Sequence, residues 1–77
     1  MTRVPTYYRI DGVNESFKTL KDAKYYIWFA YTDNERIKYF GKEPSYISGF
    51  REDEWLTSTE IKISKEGKVS FGKAKKI

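Results

Sequence analysis

The chain contains no cysteine and no histidine. A disulfide framework is therefore excluded, and so is a zinc site built from thiolate or imidazole ligands. Nucleophilic catalysis would have to use a serine or threonine activated by lysine or a carboxylate, and no known arrangement of that kind is visible. Glycine is sparse: the five residues are scattered at turn-like positions, so no glycine-rich loop is available to cradle a phosphate. No uninterrupted apolar run approaches the roughly 20 residues needed to cross a bilayer. The stretch "MTRVPTYYRIDG" lacks the apolar run of a signal peptide. These absences predict a non-enzymatic, cytoplasmic chain with no cofactor, no metal, no small-molecule substrate and no membrane partner.

What is present must hold a fold by packing alone. The 77 residues bury only roughly 60% of the surface that their unfolded chain exposes, so a single small domain over 1–77 with modest stability is expected. Aromatic residues make up 18%, and rings that each bury about 150–250 Å² fill a small core efficiently. Self-association is the other route to stability. The charge is uneven. Residues 1–60 hold nine Lys and Arg against ten Asp and Glu, a net of −1; residues 61–77 hold six lysines against Glu66, a net of +5. The basic excess of the whole chain thus lies at its C-terminal end.

"TYYRI" alternates and is rich in strand formers, which places Tyr8 and Ile10 on one side and Tyr7 and Arg9 on the other. Asp11–Gly12 signals a turn, and "VNESF" follows as a short returning strand. "YYIWFAY" holds residue types that also favour a strand, but Thr19 as a cap, with Asp22 as its acidic partner three residues on, and the Leu20–Ala23–Ile27 spacing favour a helix over 19–31. At about 3.6 residues per turn, Leu20, Ala23, Ile27, Ala30 and Tyr31 share a face, with Tyr26 at its margin. "TDN" ends the pattern as a loop. "ERIKYFG" alternates again and predicts a strand, "KEPSYISGF" a bent strand or ordered loop, and "REDEW" an exposed acidic connection or a single helical turn. "LTSTEIKIS" and "KVSFG" flank "KEG" as a hairpin in which Gly67 supplies a positive φ. Residues 73–77, "KAKKI", are expected as a flexible basic tail. The order β(β)αββββ is an α+β pattern: one aromatic-rich α-helix packed on one face of a small antiparallel β-sheet. Its other face stays wet, lined by Tyr7, Arg9, Arg36, Lys38, Tyr46 and Lys62.

Two surfaces are candidates for binding. The first is the lysine set Lys62, Lys65, Lys68, Lys73, Lys75 and Lys76, where ammonium groups would meet nucleic-acid phosphates while ring faces on the sheet stack on bases. With no arginine in the set, phosphate contact is favoured over base reading. Lys62 and Lys68, on opposite strands, are expected near each other, where a polyanion would relieve their repulsion. Lysines on edge strands also prevent sheets from pairing edge to edge, an explanation that needs no ligand. The second surface is Tyr25, Trp28 and Phe29, which turn away from the face set by Leu20 and Ile27. Exposed rings there suit a protein interface. Either "GKEPSYISGF" and "REDEW" fold over them with Trp55 as a plug, or a protein partner or second copy covers them. Glu52, Asp53 and Glu54 lack the alternating spacing and central glycine of a calcium loop and read as a solvated turn. Glu15, Asp22 and Glu43 form no recognisable acid–base pair.

Residues 12–23, "GVNESFKTLKDA", carry Gly12, Phe17, Thr19 and Ala23 in a turn–"F-x-T-x-x-x-A"–helix arrangement. This resembles the junction in the small DNA-binding domains at the N-termini of phage and transposon integrases. In that family a three-stranded sheet precedes the helix and enters the major groove, whereas at most two strands precede the helix here. A phenylalanine packed under a capped helix also needs no DNA. Small size suits a phage or mobile-element product. The resulting expectation is a small basic accessory protein that contacts nucleic-acid phosphates through its C-terminal hairpin, with a protein-interaction or homodimerisation module as the alternative.

Overall fold

Alternation along "YYRI" and a turn at Asp11–Gly12 produce the first two strands. In the computed structural model, which describes residues 4–41 and 44–77, β1 (Tyr7–Ile10) pairs antiparallel with β2 (Ser16–Phe17). Gly12 sits at φ +81°, a left-handed conformation that glycine adopts without steric penalty. Ile10 is buried and Tyr8 packs on the core, while Arg9 is exposed on the opposite face.

Each helix starts at a threonine. For α1 (Leu20–Phe29), Thr19 Oγ1 accepts the Asp22 amide at 3.1 Å. Ala23 and Ile27 are buried at the expected spacing, whereas Ala30 is exposed because the helix stops at Phe29 and Ala30 is its C-cap. For α2 (Asp33–Phe40), Thr32 Oγ1 accepts the Glu35 amide at 3.2 Å, and Glu35 Oε1 accepts the Thr32 amide at 2.9 Å. The alternation of "ERIKYFG" predicts a strand here, and the structure has a helix instead. The reciprocal cap satisfies two amides that would otherwise lack partners, worth about 1 kcal/mol. Arg36 and Phe40, four positions apart, then turn inward together. The described residues accordingly form two helices where one was expected.

"SYISGFR" and "EWLTSTEIKI" form a long hairpin of β3 (Ser45–Arg51) and β4 (Glu54–Ile63). Glu52 and Asp53 make its turn, with Glu52 in the left-handed region at φ +57°, so this acidic segment is a hairpin turn and not a helical one. Thr57 faces Gly49 but Trp55 faces Phe50, which leaves Leu56 as the extra residue of a β-bulge. β3 also pairs with β1, Ile10 opposite Ile47. β5 (Val69–Phe71) returns along β4 as expected, with Ile61 opposite Phe71 and Ile63 opposite Val69 and with Gly67 at φ +89°. Beyond Gly72, β6 (Lys75–Lys76) pairs with β4, Thr57 opposite Lys76 and Ser58 opposite Lys75. The stretch 73–77, expected as a tail, thus carries a strand of the sheet.

The strand order is β2-β1-β3-β4-β5, with β6 also on β4, and every pairing is antiparallel. Helix α1 lies against β1, β2 and β3, and α2 against β4. Ile10, Ala23, Ile27, Phe40, Ile47 and Ile61 form the buried core, ringed by Phe17, Leu20, Tyr26 and Phe71 among others. Each fully buried isoleucine contributes roughly 1.5–3 kcal/mol. The architecture is α+β, and no helix among the described residues is long and apolar enough to cross a membrane.

Arg36 and Lys38, expected on the open sheet face, lie on α2 instead. Arg36 is only 8% exposed. Its Nε donates to the Gly67 carbonyl at 2.7 Å, its Nη1 to the Trp28 and Tyr31 carbonyls at 2.9 and 2.7 Å, and its Nη2 pairs with Asp33. A buried guanidinium with this many partners acts as a structural tie between the end of α1, the start of α2 and the β4–β5 turn.

Candidate functional site

Strand alternation leaves the sheet face opposite the helices lined by Tyr7 and Arg9 of β1, Tyr46, Ser48 and Phe50 of β3, and Ser58, Glu60 and Lys62 of β4. Tyr7 and Phe50 stack with ring centroids 5.4 Å apart and planes 13° apart, and the Tyr7 hydroxyl donates to the Glu52 carbonyl at 2.6 Å. The Tyr46 amide donates to the Asp11 carboxylate at 3.0 Å, which ties β3 to the β1–β2 turn. Tyr46 is 38% exposed. Tyr7, Arg9 and Lys62 were legible as members of this face from alternation, and Tyr46 was expected there from a bent strand or ordered loop; Ser48, Ser58 and Phe50 were not.

The six lysines divide. Lys62, Lys73 and Lys75 border one cleft together with Tyr46, Ser58, Glu60 and Gly72. The approach follows from β6 pairing on β4: Lys75 faces Ser58, and the Gly72 amide donates to the Glu60 carbonyl at 3.0 Å, which sets Lys73 beside the sheet. Lys65 and Lys68 lie at the β4–β5 turn, and Lys76 stands opposite Thr57, out of register with the Lys75 face. Lys62 and Lys68 are not cross-strand partners. Lys62 faces Ser70, and the Lys68 amide donates to Ser64 Oγ at 3.1 Å. All six are exposed, and among the described residues none of them makes an ion pair.

The outer face of α1 forms a second surface. Tyr25 lies 5.6 Å from Trp28 and 5.7 Å from Phe29, and Trp28 reaches Phe71 at 5.5 Å. Lys21 sits over the Tyr25 ring and Lys24 over that of Phe71. Tyr25 is 40%, Trp28 39% and Phe29 80% exposed, so among the described residues no loop folds over this cluster. Trp55 is no plug for it: it stands opposite Phe50 near the β3–β4 turn, itself 48% exposed, with Nε1 donating to the Thr57 carbonyl at 2.8 Å.

A depression of about 390 Å³ lies between the Asp11–Gly12 turn and α2, lined by Val13, Tyr31, Glu35, Tyr39 and Phe40. Burial, hydrogen bonding with Tyr26 and the neighbouring Tyr26, Tyr39 and Glu35 push the Tyr31 hydroxyl up to about 12. It therefore stays protonated near neutral pH and can donate a hydrogen bond but not accept a proton. Among the described residues no three carboxylates converge to hold a metal ion. Glu43 lies outside the described residues.

Comparison of the chain with protein-family models, with curated proteins and with solved structures finds no match.

Proposed function

We propose that this chain is a small non-enzymatic binding module that contacts nucleic-acid phosphates through the basic edge of its C-terminal hairpin. The observation that supports this most is the pairing of β6 on β4, which draws Lys62, Lys73 and Lys75 to one cleft beside Tyr46. Ammonium groups around one cleft repel one another in the free protein, with Glu60 as the acidic neighbour in the cleft. A row of phosphates relieves the repulsion and releases its counterions to solvent. Lys65 and Lys68 extend the basic surface along the hairpin. Such contacts position a backbone without reading its sequence.

Titration of labelled DNA and RNA at about 50 and about 200 mM salt tests this reading. Neutralising three phosphates predicts a loss of affinity between the two of roughly 40-fold for a DNA duplex and roughly 20-fold for a single strand. The double variant Lys62→Ser, Lys75→Ser should flatten the salt dependence by about two units of log–log slope. No binding to either nucleic acid at the lower salt would sink the proposal.

A second reading is favoured by the exposed rings of the aromatic-rich helix α1, Tyr25, Trp28 and Phe29. Its occupant is a second copy of the chain. Trp28 already touches Phe71, which packs on the core, so covering this face in a homodimer would extend a small core into an interface. Sedimentation of the pure protein decides it: a monomer across all accessible concentrations removes this reading.

A further inference from the structure

The register of the open sheet face contains a row that the lysine pattern alone does not reveal. Arg9 stands opposite Ser48, Ser48 opposite Ser58, and Ser58 opposite Lys75. Read across four strands, the row is cation, hydroxyl, hydroxyl, cation. With strands about 4.8 Å apart it is about 14 Å long, the length of about four stacked nucleotides at about 3.4 Å each. Two depressions border it. One, of about 350 Å³, is bordered by Arg9, Ser48 and Phe50; the other, of about 330 Å³, by Tyr46, Ser58, Lys62 and Lys75. Ser48, which lines the first, stands opposite Ser58, which lines the second.

The side chains set the shape of this groove. Serines keep its floor low. Two residues along β3 on either side, about 7 Å away, stand Tyr46 and Phe50, and Phe50 is braced from behind by the stacked Tyr7 ring. Around the two depressions, four cations (Arg9, Lys62, Lys73, Lys75) face two carboxylates (Asp11, Glu60), a net of +2. One of those carboxylates, Asp11, is already engaged by the Tyr46 amide. A groove with ring walls, a hydroxyl floor and cations at both ends matches a chain of alternating charge and flat rings. Base faces are free to stack on Tyr46 and Phe50 only when they are unpaired. A duplex could meet the cations, but its paired bases could not stack on the rings that flank the row.

We infer that the open face of the sheet takes a single strand of nucleic acid, laid across the strands from Arg9 to Lys75, with bases stacked on Tyr46 and Phe50. The inference rests on the phosphate-binding reading above and adds to it the strandedness of the partner and its path. It also makes Arg9, far from the C-terminal lysines in sequence, part of the same site.

Fluorescence anisotropy at about 50 mM salt, with labelled oligo(dT) and oligo(U) of about 15 nucleotides and a duplex of the same length, provides the test. Either single strand should bind about tenfold or more tighter than the duplex. Tyr46→Leu keeps an apolar side chain on β3 but removes the ring, and should weaken single-strand binding about fivefold or more with the salt dependence unchanged; Tyr46→Phe should bind as the unaltered chain does. Circular dichroism establishes that the variants fold. A duplex bound as tightly as the single strands, or undiminished affinity in folded Tyr46→Leu, overturns the single-strand inference and leaves phosphate binding standing. The comparison of strand with duplex on the unaltered chain decides the point even where Tyr46→Leu does not fold. No binding to any of the three probes removes both readings.

Discussion

The Nε of Arg36 donates to the carbonyl oxygen of Gly67 at 2.7 Å, joining α2 to the β4–β5 turn across 31 positions of chain. The same guanidinium serves the Trp28 and Tyr31 carbonyls, which lie at the end of α1 where helix carbonyls run out of intrahelical donors. Lysine at this position would keep the charge but bring one nitrogen to a site that uses three. Arg36→Lys should therefore lose about 2–4 kcal/mol of stability, the size of one or two charged hydrogen bonds at a buried site. Urea unfolding followed by circular dichroism reads this as a lower midpoint with an unchanged slope; a midpoint equal to that of the parent would mean that Arg36 does not tie the helices to the turn.

Gly67 offers a second test of the same junction. Its φ is +89°, and a Cβ there would lie 2.5–2.7 Å from Asp33 atoms, two of them in the backbone. Gly12 has a similar φ of +81° with nothing within 4 Å of the corresponding position. Both alanine variants carry the left-handed penalty of about 1–2 kcal/mol. Only Gly67→Ala also has to push α2 off the turn, which adds about 1–3 kcal/mol. The two variants, unfolded in urea side by side, should differ by that added amount. Equal losses would mean that the contact with Asp33 yields freely.

The helix at Thr19 and the hairpin around Gly67 were legible because their signals are local: a cap with Leu20, Ala23 and Ile27 in step, and two alternating runs flanking a glycine. Helix α2 had a local signal as well, the T-x-x-E of Thr32 and Glu35, which is the capping box itself. The strand expected there rested on the alternation of Arg36, Ile37, Lys38 and Tyr39, a pattern too short to separate strand from helix. The burial of Arg36 had no local signal, since its main acceptor, Gly67, lies on another element. Nor did β6, whose two lysines join the sheet through backbone pairing with Thr57 and Ser58, not through any side-chain pattern. The candidate site divides the same way. Alternation placed Tyr7, Arg9 and Lys62 on one face, and wrongly Arg36 and Lys38 with them, but the row from Arg9 to Lys75 exists only once the register of four strands is known.

Ile27 and Phe29 are two residues apart on α1 and opposite in exposure, 0% against 80%. Ile27→Ala should cost about 2–5 kcal/mol as a core truncation. Phe29→Ser should leave monomer stability within about 0.5 kcal/mol, because an exposed ring buries little. If α1 forms a homodimer face, Phe29→Ser also lowers the sedimentation coefficient of a concentrated sample while Lys62→Ser does not. Equal behaviour of the two variants would separate the helix face from any self-association.

Tyr31 predicts how the fold responds to alkali. Its hydroxyl ionises near 10 in an unfolded chain and is pushed up to about 12 in the folded one, chiefly by burial and then by hydrogen bonding with Tyr26. Between these two values the folded state holds a proton that the unfolded state has released. Stability from this group is therefore fully present below pH 10 and falls as the pH rises from 10 towards about 12. Other tyrosines ionise over the same range, so the decisive comparison is with Tyr31→Phe, which cannot ionise at this position. Urea midpoints taken at intervals across that window should fall less steeply for Tyr31→Phe than for the parent. Parallel slopes would show that the folded chain releases the Tyr31 proton as readily as the unfolded one, and that the ring cluster of Tyr26, Tyr31 and Tyr39 is open to water.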